Sequence, residues 1–116
     1  MDYIRFVDLE NKKVYDLGKR SEAKYYLPFL AHQFQGRPVV LYGDETHCYL
    51  EDKYETEEYR EYKECLLSCK DFGINNLNNN EMSMADFNKI FEEIGGKVVD
   101  NLEYHVQRKH KLATEL

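Results

Sequence analysis

Apolar residues alternate with polar ones in some stretches of this chain and recur at helical spacing in others. Tyr3 to Leu9 is rich in β-formers, and Val14-Tyr15-Asp16-Leu17 is a second, shorter run. The polar Glu10-Asn11-Lys12 lies between them, so the start reads as a β-hairpin with Asn11 suited to positive φ and Gly18 ending the second strand. Next, Tyr26, Phe29, Leu30 and Phe34 recur at helical spacing behind Ser21, a candidate N-cap with Glu22 in the first turn. Pro28 leaves two readings open: a helix kinked at the proline, or a shorter one with Pro28 in its first turn. Gly36 serves as the C-terminal cap in both.

Pro38-Val39-Val40-Leu41-Tyr42 is a buried-strand pattern closed by Gly43-Asp44, and Thr46 to Leu50 is a further short strand candidate. A second helix is expected from Thr56 as N-cap, with Tyr59, Tyr62, Leu66 and Cys69 facing inward and Gly73 as the stop. Five asparagines between Asn75 and Asn80 mark a loop. A third helix has the clearest start: Ser83 as N-cap, Asp86 three residues on, and Met82 and Phe87 placed as a hydrophobic staple. Phe87, Ile90, Phe91 and Ile94 form its stripe, and Gly95-Gly96 ends it. Beyond Lys97, Val99, Leu102 and Val106 fit a helix, while Leu102, Tyr104 and Val106 fit a strand; the helix is preferred.

These elements predict an α+β fold: a small, mostly antiparallel sheet made of the N-terminal hairpin and strand 38–42, packed by three or four helices. The 116 residues suit a single domain spanning 1–116. Ten tyrosines and six phenylalanines without a tryptophan supply much of the apolar area. No apolar run reaches the length of a membrane span, no export signal pattern opens the chain, and three cysteines form no disulfide framework. A cytoplasmic location without membrane contact is therefore expected.

The formal net charge of −6 changes the picture most, because it is unevenly spread. Residues 1–50 balance seven basic against seven acidic side chains, whereas 51–116 carry nine against fifteen. Asp44 to Glu64 alone holds nine acids: Asp44, Glu45, Glu51, Asp52, Glu55, Glu57, Glu58, Glu61 and Glu64. On the expected second helix, Glu57, Glu61 and Glu64 would line one face, relieved in part by Arg60. A solvated helix face accounts for this pattern. An anionic, tyrosine-bearing docking surface accounts for it too, with Asp52, Tyr54, Glu57, Glu58, Glu61 and Glu64 as candidate contacts. Such a surface suits a basic protein, such as a nucleic-acid-binding protein, and disfavours nucleic acid itself.

Cysteine and histidine offer a second chemistry. Cys65 and Cys69, four apart, would share a helix face that His47 and Cys48 could complete around zinc, but the spacing misses the common paired patterns. Cys48 with a histidine (His32, His105 or His110) would make a nucleophile pair, although adjacent His47 points to the opposite face of a strand. Small core thiols are the simpler account. The common phosphate-loop, dinucleotide and nucleophile-elbow motifs are missing. The leading expectation is a non-enzymatic acidic binding protein without cofactor or metal. An inhibitor, an immunity protein or a phage-type anti-defence protein has this physical character. The alternatives are a small cysteine/histidine-dependent enzyme or ligand-binding domain, and a subunit of a larger assembly.

Overall fold

The structure is a computed structural model that describes residues 3–44, 59, 61–65 and 82–109. Its elements are β1 (Tyr3–Asp8), β2 (Lys13–Lys19), α1 (Arg20–Gln33), β3 (Val39–Asp44), β4 (Lys63–Cys65), α2 (Met84–Ile94), β5 (Val98–Val99) and α3 (Leu102–Lys109). They form one five-stranded mixed sheet in the order β4-β2-β1-β3-β5. β1 is antiparallel to both β2 and β3, β3 to β5, and β4 runs parallel to β2. The chain is thus α+β. Among the described residues no helix is long and apolar enough to cross a membrane.

The two-residue period of the strands divides the core. Ile4 and Phe6 of β1, Leu17 of β2 and Val39 and Leu41 of β3 face the helices, joining Ala23, Leu27, Leu30 and Ala31 of α1, Phe87, Ile90 and Ile94 of α2, and Leu102 and Val106 of α3. The intervening Val7, Val14 and Val40 face the other way and pack with Tyr59.

The β1–β2 turn is organised by Asp8 rather than by Asn11. The Asp8 Oδ1 accepts the amides of Glu10 and Asn11 at 3.1 and 3.3 Å, and positive φ falls on Lys12 (54°). Asp8 is 2% exposed; Arg37 Nη2 donates to its Oδ2 at 3.0 Å, and the Arg37 guanidinium also covers the Phe34 ring. The second strand passes through Gly18 rather than ending there. The register skips Leu17 between the Ile4–Gly18 and Arg5–Asp16 pairs, and Gly18 takes φ +78° at this bulge. A Cβ on Gly18 would lie 2.7 Å from Glu22 Oε2.

α1 begins one residue before the expected cap. Lys19 occupies the cap position and its amide donates to Glu22 Oε1 at 3.4 Å, so Ser21 lies inside the first turn. The helix runs through Pro28. The ring removes the donor that would reach the Lys24 carbonyl, and the amide of Met82 donates to that carbonyl instead, across 3.5 Å. The buried face is Ala23, Leu27, Pro28, Leu30 and Ala31, with Tyr26 only partly buried; the two alanines let the helix lie close to the sheet. Gly36 takes φ +76° two residues beyond the C-cap Phe34.

α2 matches its sequence signals. Ser83 Oγ accepts the Asp86 amide at 3.1 Å, and Met82 and Phe87 on either side of the cap are both fully buried. In the tail the helical reading holds for Leu102 and Val106. Val99 belongs instead to a short strand, because β3 offers it an edge: Val99 pairs with Val39. Asn101 Oδ1 caps α3 by accepting the Tyr104 amide at 3.2 Å.

The expected second helix is overturned where it can be checked. Lys63, Glu64 and Cys65 form β4, register partners of Lys13, Val14 and Tyr15, and Tyr59 lies in a short 3₁₀ turn. The β2 edge supplies backbone partners, beginning with Lys63 N–H to the Lys12 carbonyl at 3.0 Å, and Tyr59 and Tyr62 are drawn onto the sheet face. Tertiary pairing thus overrides a weak helical pattern. The Thr46–Leu50 strand, the Thr56 cap and the asparagine loop lie outside the described residues.

Candidate functional site on the second sheet face

The sheet face turned away from the helices carries the candidate site. Val7, Val14 and Val40 form its apolar floor, with Leu9, Tyr42, Tyr59 and Tyr62 packed against it. Tyr59 links the aromatic rings: its centroid lies 5.5 Å from that of Tyr42 and 5.4 Å from that of Tyr62, the latter edge to face. Beside this cluster, at the β2–β4 margin, Arg5, Val14, Asp16, Glu64 and Cys65 line a cleft of about 310 Å³.

Strand periodicity explains the grouping. Arg5 stands one residue out of phase with Ile4 and Phe6, so it emerges on the face away from the helices, opposite Asp16 on β2. Glu64 pairs in register with Val14 and reaches the same face. Arg5 Nη1 donates to Glu64 Oε1 at 2.7 Å, with the arginine side chain 14% exposed and the glutamate 70%. Asp16 Oδ1 accepts the Gly18 amide at 2.8 Å. Lys13 and Lys63, one position before Val14 and Glu64, fall on the opposite side of the strands. The margin therefore presents carboxylates on one face and lysines on the other.

Of the residues expected to contact a partner, Glu61 and Glu64 are described, and both are exposed. Glu61 sits in the turn before β4 and Glu64 within it, so they do not share a helix face. Asp52, Tyr54, Glu57 and Glu58 lie outside the described residues.

The zinc reading loses its helix geometry at Cys65. It lies in a strand, which removes the shared helix face with Cys69, and its thiol contacts the Lys63 carbonyl at 3.8 Å. His47, Cys48, Cys69 and His110 lie outside the described residues. Among the described residues no three His, Cys, Asp or Glu side chains converge as a metal set. His32 and His105 serve the helical layer. His32 Nδ1 lies 3.1 Å from Oε1 of Glu103, a carboxylate only 9% exposed, and ties α1 to α3. His105 Nδ1 lies 2.9 Å from Glu93 Oε1, which Arg108 also reaches at 3.2 Å, tying α3 to α2.

Sequence reasoning missed Arg5 and Asp16. The one available signal was phase: a charged residue between Ile4 and Phe6 must leave the helix-covered face. Comparison with family models, curated proteins and solved structures finds no match to this chain.

Proposed function

We propose that this is a non-enzymatic binding protein that docks on a basic protein surface through its acidic, tyrosine-bearing segment. The observation that carries the reading is the exposure of Glu61 and Glu64 beside the Tyr42–Tyr59–Tyr62 cluster. Carboxylates at the rim steer a cationic partner during approach, and the half-buried Tyr42 and Tyr62 supply contact area beside them. Asp52, Tyr54, Glu57 and Glu58 are the further partner contacts in this reading. The partner is an enzyme or nucleic-acid-binding protein whose basic groove is covered, which makes the protein an inhibitor of the immunity or anti-defence kind acting in the cytoplasm.

The test is capture of partners by tagged protein at about 50 and about 300 mM salt, since screening weakens charge-driven contacts first. A single basic partner held at low salt and released at high salt is the expected result. Charge reversal at Glu57, Glu58 and Glu61 then abolishes capture. Retention of the partner by that variant at both salts overturns the reading.

A further inference from the structure

We draw no further inference here: the strongest candidate, the apolar margin of the second sheet face where the exposed Val98 of β5 stands in register beside Val40 of β3, continues the site already described, and nothing in the structure shows what covers it.

Discussion

The two faces of the central sheet are built to different standards. Among the described residues, the helix-covered face gathers sixteen buried residues, from three helices, three strands and the flanking Phe34 and Met82, while the other face gathers four. Phe6 and Val7 are neighbours in the chain and both are fully buried, yet one packs edge to face on Phe34 within the larger cluster and the other among valines and tyrosines. The difference teaches how unevenly the described packing is shared between the two faces. Three helices close one face, and tyrosines close over Val7, Val14 and Val40 on the other.

The largest test of this division is Phe6→Ala. Truncation of a fully buried ring is expected to cost about 3–5 kcal/mol in urea unfolding, enough to unfold a marginal domain. Asp8→Ala comes next, at about 2–3 kcal/mol, because it strips acceptors from two turn amides and leaves Arg37 facing only Glu10. On the other face Val14→Ala removes two methylene equivalents and is expected to cost about 1.6 kcal/mol. An equal loss from Val14→Ala and Phe6→Ala would break the comparison. The smallest effect is Glu64→Gln, within about 0.5 kcal/mol, because its partner Arg5 meets it at an exposed carboxylate. If Glu64→Gln matched Asp8→Ala in cost, the Glu64 carboxylate would be a structural group of the same rank as Asp8.

What could be read from the sequence follows the same division. Ser83, Met82 and Phe87 announced α2 because capping and stapling are local, and Tyr3–Leu9 announced β1 because its alternation feeds two distinct faces. β4 could not be read this way. Tyr59, Tyr62 and Leu66 fit a helical stripe, and nothing near Lys63-Glu64-Cys65 signals that the β2 edge, some fifty residues earlier, will claim them. The candidate site was half visible for that reason. Glu61 and Glu64 stood out by charge density, whereas Arg5 and Asp16 join them only through strand pairing. The part-buried Asp8–Arg37 and Glu103–His32 contacts were equally hidden, since each joins elements distant in sequence.

The position of β1 has a kinetic consequence. Both of its neighbours, β2 and β3, lie within residues 3–44, so the three inner strands and α1 can close on one another over short loops. β4 and β5 lie at the outer margins of that ladder, β5 with α2 and α3 from the far end of the chain. A nucleus in the inner ladder makes substitutions at Leu41 slow folding, whereas substitutions at Val99 chiefly quicken unfolding, a contrast readable from the two arms of a denaturant chevron. The acidic margin would then be the last part of the sheet to assemble and the first to come away.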